Sequence, residues 1–200
     1  MRRFVSKRNE VFLRDGLVYK RTKDPQSALL EAGILRELRG RGVAVPEVLD
    51  CREGTLVLEY LPGEPLPDVI ERGGYDTGAL AGALCAWFGA FYAAVPTVPA
   101  GTQGEARGDV NGRNYLCQFG SYDGARIYSV DFEERCYGHK ARDAGRLAAY
   151  METYRTCDPE SQMRLAETFM QGFAERFGCA MDEILTERER ECAAMRLRRL

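Results

Sequence analysis

Asp109, Asn114 and Asp131 are the polar residues whose types and spacing could do chemistry together. The stretch that holds them reads RGDVNGRNYLCQFGSYDGARIYSVDFEE, starting at Arg107, and Asn114 follows Asp109 by five residues. These are the parts that phosphoryl transfer from ATP uses. One carboxylate orients the attacking hydroxyl, and an Asn and a second Asp hold Mg²⁺ on the phosphates. Mg²⁺ is a hard cation that takes few protein ligands and completes its shell with phosphate and water, so one Asn and one Asp suffice.

The runs between these residues explain how they could meet. Tyr115 to Phe119 and Arg126 to Val130 are aromatic and β-branched, with Ser121, Asp123 and Gly124 between them. That pattern predicts a β-hairpin. A hairpin returns the chain to its start, so Asn114 at its entrance and Asp131 at its exit would stand side by side. Taken alone, the segment also suits an ordinary surface hairpin bounded by turn-forming Asp and Asn.

The upstream half supplies further candidates. Leu17 to Arg21 alternates like a strand and carries Lys20. Asp24-Pro25 reads as an N-cap with Pro at the first helical position. Leu30, Ile34, Leu35 and Leu38 then follow at helical spacing as far as Arg39-Gly40, with Glu31 in the early turns. A strand Lys oriented by a Glu on the next helix is a known way to hold the α/β-phosphates of ATP. Thr55 to Tyr60 reads as a buried strand that runs into Leu61-Pro62-Gly63. A strand ending in such a turn leaves free backbone groups at its end.

In this order the elements resemble the protein-kinase-like superfamily, in particular its small phosphotransferase branch. Lys20, Glu31 within EAGILRELRGRGVAVPEVLD, LEYLPGEPL, and GDVNGRN with VDFEE carry the resemblance. Aminoglycoside and choline kinase-like proteins have a similar Asp-x4-Asn followed by an acidic VDFE-type segment. DVNGRNYL also looks like the catalytic loop of lipopolysaccharide kinases. EAGILRELRGRGVAVPEVL is similar to the minimal kinases of the tRNA threonylcarbamoyl-adenosine (KEOPS) machinery.

The resemblance implies an α+β, two-lobed fold. A small antiparallel N-lobe sheet would occupy residues 1–60, and a helical C-lobe residues 61–200. It implies ATP and Mg²⁺ as cofactors. Lys20 would contact the phosphates and pair with Glu31, and Glu59, Tyr60 and Leu61 would form the adenine hinge. Asp109 would be the catalytic residue, Asn114 and Asp131 the metal ligands, and Asp143 a brace for the catalytic loop.

This sequence departs from the family pattern in two places. No Gly-rich phosphate loop precedes Lys20, although Ser6, Lys7, Arg8 and Asn9 offer side chains there. Arg107 stands where the family usually has His, and would serve by charge pairing or weaken catalysis. Arg113, on the same loop, could neutralise transferred phosphate.

Composition sets limits that fit. Two hundred residues, 45% of them hydrophobic, can bury one sizeable core. The net charge of −2, from 28 basic and 30 acidic residues, exerts no general pull toward nucleic acid. The ends are locally basic, with Arg2, Arg3, Lys7 and Arg8 at one and Arg196, Arg198 and Arg199 at the other. Seven widely spaced Cys and a single His suggest no zinc site and a reducing, cytoplasmic setting. No apolar run approaches the roughly 20 residues of a membrane span, and no signal peptide is visible.

The expected activity is Mg²⁺-dependent transfer of the ATP γ-phosphoryl group to a hydroxyl of a small-molecule or sugar acceptor. Two alternatives stay open: a KEOPS-type minimal kinase or ATPase acting with a protein partner, and a pseudokinase that binds nucleotide without turnover.

Overall fold

Alternating strands joined by tight turns build the N-terminal half. The computed structural model describes residues 2–4, 9–96, 104–120, 124–133 and 136–198. Ser6, Lys7 and Arg8, the turn residues Ser121 and Asp123, and Arg199 lie outside the described residues. Strands β1 (Arg2–Phe4), β2 (Glu10–Arg14), β3 (Leu17–Arg21), β4 (Val48–Arg52) and β5 (Thr55–Glu59) form one antiparallel sheet in the order β1-β2-β3-β5-β4. Asp15-Gly16 (φ 51° and 78°) and Glu53-Gly54 (φ 48° and 75°) turn the β2–β3 and β4–β5 hairpins. Positive φ at both central residues matches the right-handed twist of the strands they join. Lys20 sits on the central strand, opposite Val11 of β2 and Leu56 of β5.

Helix α1 (Pro25–Gly40) packs on this sheet. The Asp24 carboxylate caps it by accepting the Gln26 and Ser27 N–H groups at 3.1 Å each. Its buried residues are Ala28, Glu31, Ala32, Ile34, Leu35 and Leu38. Glu31 therefore lies in the apolar row that faces the sheet. Leu30, expected in that row, is 48% exposed. Consecutive helical residues are rotated by about 100°, and Leu30 falls outside the arc that Ile34 and Leu35 occupy.

The rest of the chain is mainly helical. β6 (Glu64–Pro65) and α2 (Leu66–Arg72) lead to the long core helix α3 (Thr77–Ala94). β7 (Gly104–Ala106) precedes a 3₁₀ turn at Gly112–Asn114 and the hairpin of β8 (Tyr115–Phe119) and β9 (Ala125–Ser129). β10 (Cys136–Gly138) returns to pair with β7, and β6 pairs with β8. Helices α4 (Lys140–Thr153), α5 (Pro159–Phe177) and α6 (Met181–Arg198) complete the fold.

Phe88 of α3 meets Phe169 and Phe173 of α5 at ring-centroid distances of 6.1 and 5.4 Å. Trp87 stacks on Phe91, meets Tyr115 edge-on and donates its indole N–H to the Ala44 carbonyl at 3.0 Å, which is a packing role. Among the described residues, α3 is the one helix long and apolar enough to cross a membrane, and half of it is buried within the protein. No disulfide joins any of the described Cys.

Helix α6 lies along α4. It buries Ile184 and Met195, while Leu185 and Cys192 are half-buried. The two helices meet closely at Gly145. A Cβ there would lie 2.5 Å from the Ile184 carbonyl oxygen and 2.6 Å from the Arg188 nitrogen. Gly→Ala in a helix ordinarily stabilises by up to about 1 kcal/mol. Here the clash is with backbone, which cannot swing aside, so Gly145→Ala is expected to destabilise by about 1–3 kcal/mol. A thermal melt with a lowered midpoint checks this.

Candidate active site

A buried ammonium gathers the candidate residues. Lys20 is 6% exposed, because β3 is central and α1 covers it. Its Nζ lies 2.8 Å from Glu31 Oε2, 2.5 Å from Asp131 Oδ1 and 3.1 Å from Glu133 Oε1. Burial works against the charged ammonium, but Glu31 and Asp131 outweigh it and raise the Lys20 pKa above the ordinary lysine value. Glu31 is 1% exposed. Burial pushes its carboxyl up, while the Lys20 charge and the Phe132 N–H, which donates to Oε1 at 3.1 Å, hold it down. One cation thus ties the sheet, α1 and the segment after β9 together.

Glu133 was not singled out as a site residue in the sequence, although the VDFEE motif contains it. It also accepts a short hydrogen bond from Asn9 Nδ2. Glu31, Asp131 and Glu133 place carboxylate oxygens within 4.8 Å of one another, a spacing that would suit a cation. The Lys20 ammonium bonds to all three.

Asp109, Asn114 and Asp131 converge on one hydrogen-bonded frame. Asn114, 8% exposed, donates its side-chain N–H to the Asp109 carbonyl at 3.3 Å. Its backbone carbonyl accepts from Val130 N–H at 2.9 Å, where the hairpin closes next to Asp131. Asn114 Oδ1 meets no donor among the described residues. With the Asp131 carboxylate it offers two hard oxygens, which fits Mg²⁺. Asp109 is exposed on its loop, and its Oδ1 accepts the Asn111 N–H at 3.2 Å.

The loop around Asp109 has no regular structure, and side chains from neighbouring elements hold it. Asp143, near the start of α4, accepts from the Arg107 N–H (2.7 Å), the Gly108 N–H (3.2 Å) and the Tyr92 hydroxyl (2.8 Å). Arg146 Nη1 donates to the Gly108 carbonyl at 2.7 Å. The Tyr154 hydroxyl accepts the Gly112 N–H at 2.9 Å. Burial raises the Tyr154 pKa, so the phenol stays neutral. Arg146 and Tyr154 carry no motif signal, and only the folded chain brings them to the loop.

At the strand end, the Glu59 N–H donates to the Glu47 carbonyl (2.9 Å), and the Glu59 carboxylate binds Arg39 (2.8 Å) and the Glu47 N–H (3.1 Å). The Leu61 carbonyl accepts from Gly63 N–H at 2.9 Å, and Leu61 donates no backbone hydrogen bond among the described residues. Tyr60 is half-buried between them.

Residues 2–126 match the phosphotransferase enzyme family, APH. The chain belongs to this family. It is 28% identical, over 163 residues, to a probable serine/threonine-protein kinase BUD32 homolog of Archaeoglobus fulgidus, a match that covers 81% of this chain and 71% of that one. Its fold is similar to that of APH(2")-IIa in a ternary complex with streptomycin and ATP, with a TM-score of 0.64 at 12% identity over 95% of this chain and 80% of that one. It is also similar to the macrolide 2'-phosphotransferase MphH from Brachybacterium faecium, with a TM-score of 0.59 at 17% identity over 97% and 81% of the two chains. The two-lobed kinase-like architecture expected from the sequence is therefore the architecture of this phosphotransferase.

Breaking a buried ion pair strands the remaining charge. Lys20→Met is expected to destabilise this phosphotransferase by about 3 kcal/mol near neutral pH. Without the ammonium, burial keeps Glu31 protonated in the folded chain well above the unfolded value of about 4.3. The native state then holds the extra proton, so stability falls as pH rises from that value through the raised folded pKa. Urea unfolding should show a smaller deficit at pH 5 than at pH 8. Lys20→Met with Glu31→Leu should recover part of it at pH 8.

Proposed function

We propose that this phosphotransferase moves the γ-phosphoryl group of ATP to a hydroxyl of a small-molecule or sugar acceptor, with Mg²⁺ on the phosphates. The observation that carries this is the convergence of Asp109, Asn114 and Asp131 on one frame beside the Lys20–Glu31 pair. In this reading residues 1–60 form the nucleotide-covering lobe and residues 61–200 the catalytic and acceptor lobe.

The residue roles follow from chemistry. Lys20, kept charged and held by Glu31, presents its ammonium to the α/β-phosphate oxygens. The backbone at Glu59, Tyr60 and Leu61 meets the adenine edge, and the uncommitted Leu61 N–H supports that. Asn114 Oδ1 and the Asp131 carboxylate would hold the metal. Bound there, Mg²⁺ would neutralise the charge that develops on the phosphates during transfer. Asp109 accepts a hydrogen bond from the acceptor O–H and aligns it. The acceptor oxygen forms a bond to the γ-phosphorus, the bond from that phosphorus to the β-bridging oxygen breaks, the acceptor proton passes to Asp109, and ADP leaves.

A second reading has one specific support. The similarity to the BUD32 homolog favours a minimal protein kinase; in that reading the chain acts with a protein partner in the cytoplasm. A screen of ATP consumption over sugars, amino alcohols, aminoglycosides and a protein acceptor separates the two.

Phosphoryl transfer depends on positioning and charge more than on binding. Asp109→Asn is therefore expected to leave ATP affinity within about twofold and to slow turnover by about a hundredfold or more. Calorimetry and coupled ADP release measure the two. Equal turnover in wild type and Asp109→Asn, on the best acceptor, contradicts the assignment.

A further inference from the structure

Arg107 replaces the residue type its family would place there, and its contacts have a specific target. The side chain is 3% exposed. Its Nη2 donates to the Val130 carbonyl at 2.7 Å and to the Asp131 carbonyl at 2.9 Å, and its Nε donates to Ser129 Oγ at 3.3 Å. The guanidinium carbon lies 4.0 Å from the centroid of the Phe132 ring. Four consecutive residues, Ser129 to Phe132, are thus held by one planar cation.

Asp131 needs such a hold. Its φ of 68° is left-handed, a conformation strained for a non-glycine residue. This backbone turn sends the carboxylate toward Lys20 while the next N–H reaches Glu31. The carbonyl that the turn exposes is the one Arg107 binds. The direct side-chain partners of Arg107 are two carbonyls, a hydroxyl and an aromatic face, and its charge also favours the ionised Asp143 carboxylate, in keeping with the charge pairing that the sequence suggested.

We propose that Arg107 is a positioning residue that clamps the strained Asp131 backbone and so fixes its carboxylate where a metal ion is held. The fork geometry is essential, because one planar group must serve two adjacent carbonyls and Ser129 while lying flat on Phe132. A lysine ammonium carries the same charge without that shape. The proposal rests on the metal role given to Asp131 above.

The test uses the whole chain as wild type, Arg107→Ala and Arg107→Lys. Hydrogen exchange in the nucleotide-free protein reads the 129–133 segment, with α5 as internal reference. Calorimetric ATP titrations over a range of Mg²⁺ concentrations read the metal. Arg107→Ala should speed exchange at the Phe132 N–H and raise the Mg²⁺ concentration for half-maximal ATP affinity, each by about tenfold or more, which is what one hydrogen bond to a charged group is worth. Arg107→Lys should move both readouts in the same direction, and it carries the test if the alanine variant does not fold. Three results overturn the proposal: full rescue of both readouts by lysine, faster exchange spread evenly over segment and α5 with unchanged Mg²⁺ dependence, or no change in either. The underlying metal reading fails separately, if wild type binds ATP equally with Mg²⁺ and with EDTA.

Discussion

The structure depends on one buried cation. Lys20 on the central strand has no water to solvate it, and an unpaired ammonium there would be driven to neutrality. Its carboxylate partners come from a helix, Glu31 of α1, and from the chain leaving the hairpin, Asp131 and Glu133. The need to satisfy that charge fixes how α1 lies on the sheet and where the hairpin exit meets both. Glu31 would be an error in the apolar face of α1 without Lys20, and Lys20 an error in the sheet without Glu31. A buried pair adds little net stability, and here it sets Glu31, Asp131 and Glu133 side by side around one ammonium.

The same logic governs the loop around Asp109. Buried backbone groups must find partners, and a loop cannot supply its own. Asp143, Tyr92, Arg146 and Tyr154 supply them from α3, α4 and the end of α4. Asp143 illustrates the balance. Burial raises its pKa, and the two backbone N–H groups and the Tyr92 hydroxyl oppose that rise by stabilising the carboxylate. The loop is therefore held in place before any ligand arrives, which is how an active site stabilises charge without reorganising.

Elements with local signals were legible in the sequence. Asp24-Pro25 and Asp158-Pro159 open α1 and α5 as their cap chemistry predicts, and the aromatic runs around Gly124 form the hairpin within one residue of the expected bounds. Other elements were not legible. β7 and β10 are three residues each and exist because they pair with one another, a contact that no local pattern encodes. The close seat of Ile184 on α4 was not legible either, because it depends on the small residue Gly145 of another helix. The fold gathers residues that spacing had singled out, whereas Arg146 and Tyr154 reach the loop from α4 and its C-terminal cap, at positions that no motif marks. Arg107 was visible as a departure, but its grip on two carbonyls became evident only in the fold.

The central claim is that Asn114 and Asp131 hold a metal ion on nucleotide phosphates beside the Lys20–Glu31 pair. A crystal structure of the chain with Mg²⁺ and a non-hydrolysable ATP analogue tests it most directly. The account predicts a cation bonded to Asn114 Oδ1, to the Asp131 carboxylate and to phosphate oxygens, with Lys20 still paired to Glu31 and facing the α/β-phosphates. Nucleotide bound away from these residues, or metal-bound nucleotide beside Lys20 that touches neither Asn114 nor Asp131, would contradict it.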